Sequence, residues 1–143
     1  MSSSIALTPV LLVCKALIYN SSNEILMLKR STTNKAARKQ WETPGGKVDR
    51  GQTIKESLTR EIHEETGLAI DEFNENPHVQ SRLIQDGLYK GILLVTITYK
   101  ALSNTKAVSL SNEHTEYQWL PKQKVLSLDL RLESHNAIIA LMK

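Results

Sequence analysis

Residues 41–68 read WETPGGKVDRGQTIKESLTREIHEETGL, and this stretch sets the local structure at the centre of the chain. Pro44, Gly45 and Gly46 force irregular backbone directly after Trp41-Glu42-Thr43. Thr53 and Glu56 then form a capping box, in which the threonine oxygen accepts from the Glu56 N–H and the Glu56 carboxylate reaches back to the Thr53 N–H. Gly67 suits the left-handed cap at the far end, so the spacing predicts a helix over about residues 53–66. Ile54, Leu58 and Ile62, at steps of four, supply its buried stripe.

Beside that stripe stand Glu61, Glu64 and Glu65, related by three and four residues, so the three carboxylates project from one sector. Like charges at this spacing cost a few tenths of a kcal/mol per pair, and the last two acids also sit near the negative end of the helix dipole. A divalent cation removes the conflict, because clustered carboxylate oxygens are the hard ligands that Mg²⁺ takes alongside waters and phosphates. An acidic trio is also a common feature of a solvated helix face, so by itself the cluster reads either way. His63 points away from the acid sector and is expected to be exposed, with no role in chemistry.

Working outward, residues 9–19 (PVLLVCKALIY) are apolar with little alternation, the pattern of a strand buried on both faces. NSSN at 20–23 is turn chemistry and EILMLKR at 24–30 a second strand, which together predict a hairpin. Residues 31–40 are polar and basic and read as an exposed loop. HVQSRLI (78–84) and GILLVTITYKAL (91–102) read as strands, the second with Leu93, Val95, Ile97 and Tyr99 alternating onto one face. EYQWL (116–120) is a shorter strand, Pro121 opens a helical turn, and residues 131–143 close as a helix with Leu132, Ile138, Ile139 and Leu141 on its apolar side.

With 143 residues, one domain spanning 1–143 and one core are expected. Hydrophobic residues at 41% and charged residues at 23% are ordinary globular values, which argues against disorder. The apolar run Val10 to Cys14 ends at Lys15, far short of the roughly 20 residues of a membrane helix. The first residues lack the basic leader and cleavage pattern of a secretory signal, and Cys14, the lone cysteine, reads as a buried thiol; a cytoplasmic location is expected. A net charge of +3 suits small anionic ligands but is too mild for the footprint of a nucleic-acid binder.

The central segment resembles the Nudix box, which runs Gly, five residues, Glu, seven residues, Arg-Glu, an aliphatic residue, any residue, Glu-Glu, any residue, Gly, aliphatic. Gly46 opens it, and Arg60, Glu61, Ile62, Glu64, Glu65, Gly67 and Leu68 fall at the matching positions. Gln52 stands where the family has its first Glu, keeping a similar shape without the charge. So many fixed types, set on a loop-to-helix boundary argued independently, make this far more specific than a lone glycine-rich loop.

The resemblance implies an α/β (α+β) Nudix fold, a mixed β-sheet sandwiched between α-helices, and hydrolysis of a nucleoside diphosphate linked to another group. Carried over position by position, it implies Glu64, Glu65 and the Gly45 carbonyl as metal ligands, Glu61 as a ligand or the base acting on water, and Arg60 as the residue that orients the glutamates. Arg60 has a purely structural reading as well, an i, i+4 pair with Glu56. Glu113, preferred over Glu116, would bring another carboxylate from a late loop. Arg30, Gly46 and Lys47 would touch substrate, with Lys35, Arg38 and Lys39 near enough in sequence to attract phosphate. Trp41 is expected to pack beneath the glycine turn, while Phe73, Tyr89 and Trp119 could pack or stack on a base.

The implied cofactor is Mg²⁺, with Mn²⁺ as a substitute, and the implied partner a small nucleotide; a homodimer stays open. Markers of the ADP-ribose and dinucleoside polyphosphate branches are missing around Leu83 to Asp86, which favours free nucleoside triphosphates, damaged ones included. The alternative is a nucleotide-sensing module of the same fold with weak catalysis, for which Gln52 is the sequence support.

Overall fold

The computed structural model describes residues 7–32 and 39–142. Lys35 and Arg38 lie outside the described residues. β1 (Val10–Tyr19) and β2 (Ile25–Arg30) start as the expected hairpin, Tyr19 opposite Ile25. Its turn is held by Asn20, whose side-chain oxygen accepts from the backbone of Ser22 and Glu24. Beyond the turn the two strands part. β1 runs parallel to β6 (Leu93–Leu102) along its full length, and β5 (His78–Leu83) pairs antiparallel with β6. β2 pairs instead with β3 (Trp41–Glu42) and β7 (His114–Leu120), while β4 (Gly45–Lys47) lies on β1 opposite Val13, Cys14 and Lys15. The seven strands form one mixed sheet that opens where β1 and β2 diverge.

The apolar run in β1 does not alternate because both of its faces are covered. Cys14, Ala16 and Ile18 pack with Leu26, Leu28, Leu58 and Ile62, under α1 (Ile54–Thr66). Leu17 packs with Ile25, Met27, Val125 and Ile138, under α2 (Lys122–Val125) and α3 (Leu132–Leu141). The mixed sheet between helices is therefore as expected. No helix among the described residues is long and apolar enough to cross a membrane.

Several local expectations are corrected. The Trp41–Lys47 segment holds two short strands around its proline-glycine bend, and β7 begins at His114, earlier than alternation alone marked. On β6 the Leu93, Val95, Ile97, Tyr99 face is half-buried, and the deeper face carries Leu94, Thr96 and Thr98. α3 is rotated from its expected setting: Leu132 and Ile139 are exposed, while Glu133 and Ser134 are buried. Polar bonds set that rotation, since Glu133 pairs with Arg82 at 2.8 Å and Ser134 Oγ accepts from the Thr43 N–H at 3.1 Å. Trp41 packs into the core on the α3 side, in place of a seat beneath the glycine turn.

Candidate active site

The loop ahead of α1 is pinned to the sheet. Gly45 has φ +140°, and a Cβ there would run into the Cys14 carbonyl, so only glycine lets β4 lie flush on β1. Pro44 O accepts from Ala16 N and Leu12 O from Val48 N, both at 2.9 Å. α1 is fixed at both ends, by the capping box at Thr53 and by Gly67 at φ +75°. Buried Ser57 ties the helix to the loop by accepting from the Asp49 N–H at 3.2 Å.

With helix and loop so fixed, the three acids part ways. Glu65 is buried, and its Oε1 accepts from the Gly45 N–H at 2.7 Å. Glu61 is half-buried against Gly46, where an added Cβ would come within 2.6 Å of the Glu61 carboxyl carbon. Glu64 is exposed and pairs with Arg60 at 3.2 Å. Arg60 also reaches Glu61 at 3.3 Å, Asp49 at 2.7 Å and Gln52 Oε1 at 3.4 Å. Its expected pair with Glu56 does not form, because that carboxylate turns back to accept from the Thr53 N–H at 2.9 Å. His63 is exposed, as expected.

Facing this helix is a buried charge network centred on Glu42. Lys15 Nζ donates to one of its oxygens at 3.1 Å, while Arg30 Nη1 at 2.9 Å and His114 Nε2 at 2.8 Å meet the other. His114 Nδ1 lies 3.8 Å from Glu65 Oε2. Glu113, exposed, precedes it at the start of β7.

Burial opposes the ionisation of Glu42, but Lys15, His114 and Arg30 more than offset it and hold the carboxyl well below the usual range. Glu65 lacks such partners. Burial raises its carboxyl to about 8, and the neighbouring acids Glu42 and Glu61 reinforce the shift against Lys15 and the Gly45 N–H. Glu61 is also raised, by burial first and then by Glu64 and Glu113, with Arg60 opposing. Burial pushes the Cys14 thiol up to about 11, so it stays protonated and inert, as expected of a packed cysteine.

These groups line a cleft of about 420 Å³. Of the expected site residues it gathers Arg30, Gly45, Gly46, Lys47, Glu61, Glu65 and Glu113. Arg60 and Glu64 are not in its lining, and they connect to it through the bond from Arg60 to Glu61. A second cavity of about 440 Å³ shares Val13, Lys15, Arg30, Glu42 and Lys47 with the first and extends to Ile84, Tyr89 and Leu94. Lys47 joins the two, its ammonium 3.0 Å from the Tyr89 hydroxyl and 4.8 Å from that ring's centre.

The donor chemistry fits a divalent ion. Glu65, Glu113 and His114 each offer a ligand atom within 4.8 Å of the others, and His114 Nδ1 is buried without a hydrogen-bond partner.

The NUDIX domain family model matches residues 12–141, nearly the whole chain and all of this cleft. The chain belongs to the Nudix family. It is similar to a nucleoside triphosphatase, NudI, of Escherichia coli O17:K52:H18, 26% identical over 104 residues that cover 69% of this chain and 74% of the relative. Among solved structures it resembles the MutT protein of Methanosarcina mazei Go1, with a TM-score of 0.76, 27% identity and 93% of each chain covered. The E. coli ORF135 protein gives a TM-score of 0.77 at 21% identity over 94% of this chain and 90% of that one, a likeness of fold.

This Nudix domain is a hydrolase of the family, whose members generally use a divalent metal. Its box accounts for the helix and the glycine bend, while Lys15, Glu42, Asp49 and His114 came from outside the sequence reading. Two of these carry a signal: Lys15 is a lone cation inside an apolar strand, and Glu42 is an acid beside a tryptophan ahead of a tight bend. Opposite charges that end up buried ask for each other. Trp119 and Phe73 pack against the core under α1, the latter tilted against Tyr99, and Tyr89 lines the second cavity beside the cleft.

Proposed function

We propose that this Nudix hydrolase is a pyrophosphohydrolase of free nucleoside triphosphates, damaged ones included, that uses Mg²⁺ and accepts Mn²⁺. The observation that carries this reading is the charge layout of one cleft, where Glu61, Glu65 and Glu113 stand together with Lys15, Arg30 and Lys47. The acids suit a cation and the bases suit phosphate oxygens, so the cleft matches the two ends of a metal–polyphosphate. The likeness to a nucleoside triphosphatase supports the substrate class.

In this reading Glu64, Glu65, Glu113 and the Gly45 carbonyl hold the ion. The ion, when bound, neutralises charge on the bridging phosphates and lowers the pKa of water. Glu61, the half-buried acid whose proton affinity is already raised, holds the proton taken from the attacking water. Arg60 orients Glu61 and Glu64 through the bonds it makes to both. Arg30, Lys47 and the Gly46 backbone receive the phosphates, and the second cavity, opening beside Tyr89, takes sugar and base.

A hydrolysis panel of normal and oxidised triphosphates, nucleotide sugars, ADP-ribose and dinucleoside polyphosphates, with products identified by mass, tests the reading. Triphosphates are expected to release pyrophosphate fastest, with chelation abolishing turnover and Glu64→Gln lowering kcat by about 10²-fold or more. Nucleotide binding without turnover on every substrate would favour instead the sensing module that Gln52 suggests.

A further inference from the structure

One buried nitrogen in the cleft has no use in the scheme above. The His114 side chain is 2% exposed, and its Nδ1 is shielded from solvent with no hydrogen-bond partner. Its other ring nitrogen, Nε2, lies 2.8 Å from Glu42 Oε2. That carboxylate also receives Arg30 and Lys15, so it is ionised and can only accept. Nε2 therefore carries a proton toward Glu42, and in the neutral ring the lone pair is on Nδ1.

Nδ1 and Glu65 Oε2 stand 3.8 Å apart, beyond hydrogen-bond reach. A buried ring nitrogen left without a partner costs free energy that a bound cation would recover. Glu113 adds a third ligand atom, the set falling within 4.8 Å. Oxygen and nitrogen ligands about 2.0–2.2 Å from one ion stand at most about 4.4 Å apart, a gap that a small movement of the exposed Glu113 side chain closes. The Glu42–His114 bond is also the arrangement that fixes ring and tautomer in metal-bound histidines.

We propose that His114, through Nδ1, is a nitrogen ligand of the divalent ion in this cleft, beside Glu65 and Glu113. The inference rests on the reading of the cleft as an ion site and names the class of ion it selects. Mg²⁺ favours oxygen ligands, whereas imidazole suits the later transition ions, so the nitrogen shifts preference toward Co²⁺ and Zn²⁺.

The variant that isolates the ligand is His114→Gln. Its amide can keep a hydrogen bond to Glu42 in place of Nε2, but it has no nitrogen at the Nδ1 position. Calorimetric titration of the folded, nucleotide-free protein is expected to show Co²⁺ affinity falling by about tenfold or more in this variant, with Mg²⁺ affinity changing less than about threefold. Pulsed electron paramagnetic resonance of bound Mn²⁺ should show coupling to ¹⁴N in the wild type and none in His114→Gln. Mn²⁺ bound without nitrogen coupling, or with coupling that survives the substitution, would overturn the histidine assignment and leave the ion site standing. Failure of all three ions to bind the wild type would overturn both.

Discussion

Glu42 and Glu65 are two buried carboxylates that border the same cleft, one on a short edge strand and one on the box helix, and they end in opposite electrical states. Glu42 is met by Lys15, Arg30 and His114, and the cations keep it ionised. Glu65 receives one backbone N–H and the field of Lys15 at a distance, too little to offset its burial and the neighbouring acids, and it holds its proton up to about 8. The protein has neutralised the first acid and left the second short of positive charge. A carboxylate in the second condition is a place where a cation from solution binds with gain, since it supplies what the fold withholds.

The largest effect expected from this contrast is structural. Glu42→Ala removes the buried carboxylate that Lys15, Arg30 and His114 all meet, and breaking a buried pair from one side costs about 3–5 kcal/mol. Urea denaturation of the variant measures it, and a loss under about 1 kcal/mol would mean that solvent, and not Glu42, settles those cations.

Glu65→Gln should behave in the opposite sense. In ion-free protein the Glu65 carboxyl lies at about 8 against an ordinary 4.5. Its contribution to stability is therefore complete below the ordinary value and is lost as pH rises through 8. Melting curves in chelator should fall across that window for the wild type and stay flatter for Glu65→Gln, which keeps the oxygen that binds Gly45 N–H. Adding the ion reverses the ranking: at a hundred times its Kd it stabilises the wild type by about 2.7 kcal/mol, and the variant by much less.

The two sides of the cleft also differed in how far the sequence revealed them. The helix side rests on local rules, so Thr53, Glu56 and Gly67 could be read along one stretch and match the structure, while of the three acids read as one sector Glu61 and Glu65 line the cleft and Glu64 does not. The Glu42 side depends on register between distant strands: Lys15 and Glu42 are 27 positions apart, and Glu42 and His114 are 72. Periodicity carries no information about such meetings, and only the unexplained charges in apolar segments hinted at them. The rotation of α3 was hidden for the same reason, because hydrophobicity favoured Leu132 and Ile139 while the partners of Glu133 and Ser134 lie on β5 and beside β3.

Neighbouring glycines sharpen the comparison at smaller scale. In Gly45→Ala the new Cβ meets immovable backbone at a left-handed φ, so the fold itself should lose about 1–3 kcal/mol or more. In Gly46→Ala it meets the end of the Glu61 side chain, which can swing away. That variant should melt close to the wild type, yet lose about tenfold or more in kcat if Glu61 is the proton acceptor proposed above. Equal stability losses in the two would show that β4, and not the position of Glu61, is what Gly46 protects.

The smallest effect is expected at the departure from the box pattern. Gln52 Oε1 already accepts from Ser57 Oγ at 2.9 Å and Arg60 Nε at 3.4 Å, so the amide does the positioning that a carboxylate would do. Gln52→Glu exchanges a neutral acceptor for a charged one beside a half-exposed guanidinium that already pairs with Asp49, Glu61 and Glu64. An exposed ion pair adds at most about 1 kcal/mol, and the extra negative charge also competes for Arg60 with the two glutamates it orients. Stability should therefore move by less than about 1 kcal/mol and kcat by less than about threefold. A gain of a hundredfold in turnover would mean that the missing charge limits this enzyme, and that the ion site extends past the helix acids to the loop at residue 52.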